Sequence, residues 1–289
     1  MIHGLAVVDK APGWTSHDVV ARCRRLFGQK RVGHAGTLDP DATGVLLVGL
    51  GGVTRLLRFL TLLPKSYTCE VVLGVATTTL DAAGEVTGTW DMAGVELEEV
   101  RAASRHLVGR IDQVPPMVSA VKVGGRRLHE LARRGIDVER AARSVVVHRL
   151  DVEPTGRPGI FRMEVDCASG TYVRVLGADL GRALGGGAHV RALRRIATGS
   201  FSVADATPVE ALSAEAVLSP AQALRDYSSV TAGPEVAPLV AHGAVLERGA
   251  LGVSGSGPWP VLDAEGDLLA VYEHHDESRV KPAVVLPPA

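Results

Sequence analysis

The stretch Gly33-His34-Ala35-Gly36-Thr37-Leu38-Asp39-Pro40-Asp41-Ala42-Thr43-Gly44 runs without a break into Val45-Leu46-Leu47-Val48, so a glycine-punctuated loop must end in a buried strand. Glycines at 33, 36 and 44 allow backbone angles that other residues resist, and Pro40 fixes its own φ while pushing Asp39 out of the helical region. No helix can absorb such a segment. It predicts a rigid loop that presents the Asp39 carboxylate in one direction instead of burying it. Taken by itself, an aspartate ahead of a proline is also an ordinary Asx-turn residue.

The rest of the chain has ample material for a core. Its 289 residues, 46% hydrophobic and 22% charged, suit a soluble globular protein with room for a second small domain. No apolar run approaches the roughly 18 residues needed to cross a membrane, and Met1-Ile2-His3-Gly4 does not open a secretion signal, so a cytoplasmic protein is expected. Cys23, Cys69 and Cys167 stand far apart in apolar segments, which predicts buried reduced thiols and no structural zinc. The net charge of −1 conceals a division. Residues 1–204 carry 27 Lys and Arg against 20 Asp and Glu, whereas residues 205–289 carry 4 against 12. A polyanionic partner belongs on the first part.

The punctuation predicts a mixed α/β order. Residues 4–10 form a strand ended by Ala11-Pro12-Gly13, and Ser16 is placed to cap a helix with Val19, Val20, Cys23, Leu26 and Phe27 on one face. Residues 44–50 make a buried strand, 53–63 an amphipathic helix stopped by Pro64, and 67–73 another strand. Helical spacing returns over 97–108, and 118–123 followed by Gly124-Gly125 looks like one arm of a hairpin. From Lys122 to Arg149 there are eight Lys and Arg against three acidic residues. Strands follow at 144–152 and 160–168, a helix at 172–184, and a strand at 189–196 carrying Arg191, Arg194 and Arg195. Beyond about residue 228 the acidic, Gly- and Pro-rich sequence with short alternating segments predicts a small β-rich domain. Ser16-His17-Asp18 names a triad but lies along one helix, where successive side chains diverge by about 100°. Gly49-Leu50-Gly51-Gly52 lacks the context of a dinucleotide fingerprint, and His274-His275-Asp276 reads as an exposed turn.

Four further segments accompany the Asp39 loop. They are Asp9-Lys10-Ala11-Pro12-Gly13-Trp14-Thr15-Ser16, Lys65-Ser66-Tyr67, Cys167-Ala168-Ser169-Gly170-Thr171-Tyr172-Val173-Arg174 and Gly187-Ala188-His189-Val190-Arg191-Ala192-Leu193-Arg194-Arg195. In this order, over residues 9–195, they resemble the motifs of the bacterial TruB family, the tRNA pseudouridine synthases that modify the T arm. One departure is that Ala11 stands where the family has proline, which here comes one place later.

The resemblance implies a pseudouridine synthase catalytic domain over 1–228, with a basic RNA-gripping thumb at about 118–149, and a PUA-like domain over 229–289. It implies isomerisation of uridine to pseudouridine at position 55 in the T loop of tRNA, without metal or organic cofactor, in a monomer needing no protein partner. Asp39 matches the family's catalytic aspartate, Arg174 the arginine beside it, and Tyr67 the tyrosine that packs on the flipped uracil and is available for proton transfer. His34, Tyr172 and Leu193 match the remaining substrate positions. Lys10 is read in two ways, as a phosphate ligand or as a structural residue pairing with Asp9. On residue type alone, Arg174 serves equally as a surface phosphate contact, and Tyr67 and Leu193 as core residues. The chemistry calls for flipping a stacked base into a pocket and for one ionised carboxylate at C1′ or C2′ of the ribose. Two alternatives use the same residues: a tRNA-binding folding assistant with secondary chemistry, and a hydrolase that cleaves the uridine glycosidic bond. The acidic balance of residues 205–289 argues that contact of this end with tRNA is limited to a small local basic patch, or that it mainly stabilises the fold.

Overall fold

The computed structural model describes residues 1–119 and 121–286. Its first strand, β1 (Gly4–Lys10), is buried on both faces, as its apolar run requires. There follow α1 (Ser16–Leu26), β2 (Val32–Ala35) and β3 (Thr43–Leu50), with the Asp39 loop between the last two. Next come α2 (Leu57–Leu62), β4 (Lys65–Leu73), a ribbon of β5 (Val75–Thr77) and β6 (Val86–Thr89), α3 (Leu97–Arg105) and β7 (Gly109–Gln113). A small hairpin of β8 (Lys122–Val123) and β9 (Arg126–Arg127) leads into α4 (Leu128–Ala132). The long strands β10 (Arg143–Pro154) and β11 (Ile160–Cys167), the helix α5 (Val173–Ala183) and β12 (Ala188–Thr198) come next. Short edges β13 (Phe201–Ser202), β14 (Thr207–Pro208) and β15 (Val217–Leu218) close this part.

Among the described residues eleven of these strands form one sheet, with main order β14-β1-β3-β12-β4-β11-β10-β7. β12 lies at its centre. It runs parallel to β3, setting Arg194 opposite Thr43 and Arg195 opposite Gly44, and antiparallel to β4 with register shifts on either side of Arg194-Arg195. One face packs on α1, α3 and α5 through Val19, Val20, Cys23, Val100, Leu176 and Leu180. The other face packs on α2 through Phe59 and Leu60.

A second sheet, β16 (Val230–Thr231), β17 (Leu246–Glu247), β18 (Trp259–Leu262), β19 (Leu268–His274) and β20 (Arg279–Val285), has the order β16-β18-β19-β20-β17. Its own core centres on Trp259 and Tyr272, while Leu268, Val271, Val284 and Leu286 join the core beneath α2. No described helix is long and apolar enough to cross a membrane. The three cysteines are buried, and burial pushes their thiols up to about 11, 12 and 11 for Cys23, Cys69 and Cys167.

Several local expectations need correction. Thr15, not Ser16, caps α1: its hydroxyl accepts from the Asp18 amide at 3.1 Å while the Asp18 carboxylate accepts from the Thr15 amide at 2.8 Å. Leu26, in the last turn of α1, is exposed, while Phe27 next to it packs against the core. Residues 53–63 do not make one helix; a 3₁₀ segment, Gly51–Arg55, precedes α2. The helix expected over 97–108 stops at Arg105. Of the strand expected over 118–123 only Lys122–Val123 pairs, and Ala120 lies outside the described residues.

Candidate active site

The Asp39 loop is held from beneath by the segment that follows β1. The Lys10 ammonium is buried and donates to three carbonyls, Pro40 at 2.7 Å, Trp14 at 2.7 Å and Ala11 at 3.0 Å. The Gly13 amide also donates to the Pro40 carbonyl, and the Ser16 hydroxyl bonds both the amide and the carbonyl of Leu38. Lys10 thus spends its donors on carbonyls, which supports a structural part, and it is not the partner of Asp9. Asp9 instead takes a two-pronged contact from Arg194, at 2.8 and 3.0 Å. Burial lowers the Lys10 ammonium from 10.5 to about 8. Gly44 completes the support: its φ is +98°, and a Cβ there would lie 2.1 Å from the Arg195 carbonyl, so only glycine lets β3 meet β12.

So clamped, Asp39 faces Arg174 in the first turn of α5. Arg174 Nε lies 2.9 Å from Oδ2 and Nη2 lies 3.1 Å from Oδ1, the bidentate geometry that a guanidinium favours. The helix dipole disfavours a cation at this end of α5, and the side chain is 3% exposed. It is held by its remaining donors, Nη1 to the Thr79 carbonyl at 2.7 Å and Nη2 to the Val118 carbonyl at 2.8 Å, with Asp81 Oδ2 3.4 Å away. Burial pushes the Asp39 carboxyl above its ordinary range; Arg174 opposes the shift and Asp81 reinforces it. Arg174 thus limits the rise without reversing it.

A cavity of about 260 Å³ opens on this pair, lined by Asp39, Tyr67, Tyr172, Arg174, Leu193 and Arg195 among others. Tyr67 projects from β4, and burial raises its phenol. Tyr172 caps α5, its amide donating to the Gln113 side chain at 2.9 Å while that side chain donates back to the Tyr172 carbonyl at 3.3 Å. Leu193 follows Ala192, whose φ of 51° accompanies the register shift of β12. The structure therefore brings Asp39, Tyr67, Tyr172, Arg174 and Leu193 to one cavity. His34 lies outside it, in β2 opposite Val48, with its ring edge-on to His17 at a centroid distance of 5.4 Å.

Sequence reasoning missed Asp81, Gln113 and the cavity positions of Lys65 and Arg195. Asp81 sits in a polar turn with no motif around it, held by Thr79 and bridged to Val190. Arg195 was legible as one of three basic residues on a strand and as the end of a family motif, but without a place in the cavity. Lys65 lines the cavity with its ammonium on the Thr61 and Leu63 carbonyls, each at 2.6 Å, and burial lowers it to about 8.

Residues 24–173 match a family model described as the TruB family pseudouridylate synthase N-terminal domain, and residues 174–227 match the tRNA pseudouridylate synthase B C-terminal domain. A tRNA pseudouridine synthase B of Mycobacterium sp. (strain KMS) is 44% identical, over 99% of this chain and 97% of the relative. Its counterpart in Mycobacterium tuberculosis (strain CDC 1551 / Oshkosh) is 41% identical, over 99% and 96%. A solved Cbf5-Nop10-Gar1 complex contains a chain of the same fold, with a TM-score of 0.75 at 25% identity, covering 99% of this chain and 84% of that one.

Proposed function

This chain belongs to the TruB family of pseudouridylate synthases, and from that membership we propose that it isomerises uridine to pseudouridine at position 55 in the T loop of tRNA, with Asp39 as the reacting carboxylate. The observation that carries the assignment of Asp39 is its two-pronged contact with buried Arg174 at the mouth of a cavity large enough for a single base. Tyr67 and Leu193 offer the flipped uracil an aromatic and an apolar wall, and Tyr172 closes the side next to α5. The C1′–N1 bond breaks, the base turns within the cavity, C5 bonds to C1′, and the C5 proton is released as N1 takes one up. Nothing is oxidised or transferred away. Exposed Arg126, Arg133, Arg134 and Arg143 in the thumb meet phosphates of the T arm and fix its position, while the shape of the loop and the splayed base supply specificity.

The test uses a T-arm stem-loop with tritium at C5 of the target uridine. The enzyme should release the label to water and keep the base attached, and Asp39→Asn should abolish the release. Free uracil would support glycosidic hydrolysis instead; a near wild-type rate in Asp39→Asn would remove Asp39 from the chemistry.

A further inference from the structure

Arg195 is the bulkiest fully buried side chain of the described residues, at 1% exposure. Its neighbours Arg174, Arg191 and Arg194 each contact a carboxylate, on Asp39, Glu70 and Asp9 respectively. Among the described residues no carboxylate lies within 4 Å of Arg195. It donates instead to the Val45 carbonyl at 2.7 Å and to the Gly36 carbonyl at 2.9 Å, stands opposite Tyr67 in the β12–β4 register, and lines the cavity. Neutral donors could clip two loops together equally well. A guanidinium taken out of water without a counter-ion costs several kcal/mol, and the nearby ammonium groups of Lys65 and Lys10 add repulsion.

Such a charge suits what the cavity must hold during the reaction of the preceding subsection, on which this inference rests. When the C1′–N1 bond breaks, its electron pair stays with the ring, and the detached base is an anion until C5 rejoins C1′. We propose that Arg195 is a positioning residue for Tyr67 and supplies the standing positive charge that stabilises the detached uracil anion. Because Arg195 stands opposite Tyr67 across β12 and β4 and both line the cavity, its positive charge favours the phenol with its oxygen towards the guanidinium and its proton towards other acceptors.

The experiment compares full-length wild type, Arg195→Met, Arg195→Lys, Tyr67→Phe and the Met/Phe double variant. Single-turnover rates on the labelled stem-loop and dissociation constants by filter binding are read together. Arg195→Met should slow turnover about 10²- to 10³-fold with affinity unchanged within about threefold. Arg195→Lys should recover at least about tenfold of that loss, and Tyr67→Phe should cost less in the Met background than in the wild type. Equal losses of rate and affinity, no recovery by lysine, or rate penalties that simply multiply would each overturn the proposal. If Arg195→Met does not fold, Arg195→Lys and its double variant with Tyr67→Phe close the same cycle. A wild type that makes no pseudouridine fails the underlying reading; a wild type that does, matched by Arg195→Met, sinks the Arg195 proposal alone.

Discussion

The cavity side of the central sheet and the C-terminal sheet are built from opposite materials. Around the cavity, Lys10, Lys65, Arg174 and Arg195 are buried, and the non-glycine residues Leu80 (63°) and Ala192 (51°) hold positive φ. Beyond residue 204 no described Lys, Arg, Asp or Glu is buried. The C-terminal core is apolar, and the buried Tyr272 hydroxyl and Trp259 indole are satisfied by the Ala244 and Ser254 carbonyls, each at 2.8 Å. Its charges, Glu247, Glu265, Asp267 and Glu277 among them, point to solvent. One region breaks the local rules of burial and backbone preference and the other keeps them, as expected where a single fold separates chemistry from support.

The largest effect should come from Arg174, where that contrast is sharpest. Arg174→Gln removes the strongest opposition to the rise of the Asp39 carboxyl and leaves burial and Asp81 opposed by the weaker pull of Lys10. The ionised carboxylate is the reactive form, so the rate climbs with pH through this pKa, and the acid limb of the single-turnover profile should move to higher pH in the variant. A fall on the order of 10³-fold at neutral pH is expected once the charge that positions the carboxylate is gone. An unmoved acid limb would mean that Arg174 acts on something other than the ionisation of Asp39.

Lys10 tests whether the buried charges also hold up the fold. Lys10→Met takes the ammonium from the Ala11 and Trp14 carbonyls and leaves the Pro40 carbonyl only the Gly13 amide; it should cost roughly 3 kcal/mol, lowering Tm by about 5–10 °C for a chain of this size. The native ammonium titrates near 8 against 10.5 in the unfolded chain. The native state therefore binds fewer protons between those values, and the Lys10 contribution makes stability rise with pH across that window. The variant should show a flatter rise in urea titrations from pH 8 to 10. An equal slope would assign the rise to Lys65.

How much of this was legible in the sequence depended on distance along the chain. The Asp39 loop, β1 and the buried face of α1 follow from local backbone chemistry and periodicity, and the five motifs brought Asp39, Tyr67, Tyr172, Arg174 and Leu193 together by family resemblance. The contact of Asp39 with Arg174 spans 135 residues, and that of Arg195 with Gly36 spans 159. Such pairs are made by the position of β12 between β3 and β4, which periodicity within one strand does not encode. Asp81 and Gln113 were hidden for the same reason. Lys10 was half read: its residue type left phosphate and structure equally open, and only the three carbonyls around it decide.

The smallest expected effect separates the two regions by their encounter with RNA. Arg133 and Arg134 are exposed at the end of α4, in a segment with eight Lys and Arg against three acidic residues. Lys281 in β20 is half-buried beside Glu273, at 3.8 Å, within an acidic surround. If the thumb alone grips phosphate, the double variant Arg133→Ala/Arg134→Ala should weaken tRNA binding about tenfold and reduce the slope of log K against log salt by roughly one for each phosphate no longer neutralised. Lys281→Ala should change neither, because its ammonium faces Glu273 in an acidic field that repels the polyanion. A reduced slope in Lys281→Ala would place RNA on the C-terminal sheet, and the division between a region of chemistry and a region of support would then have to be redrawn.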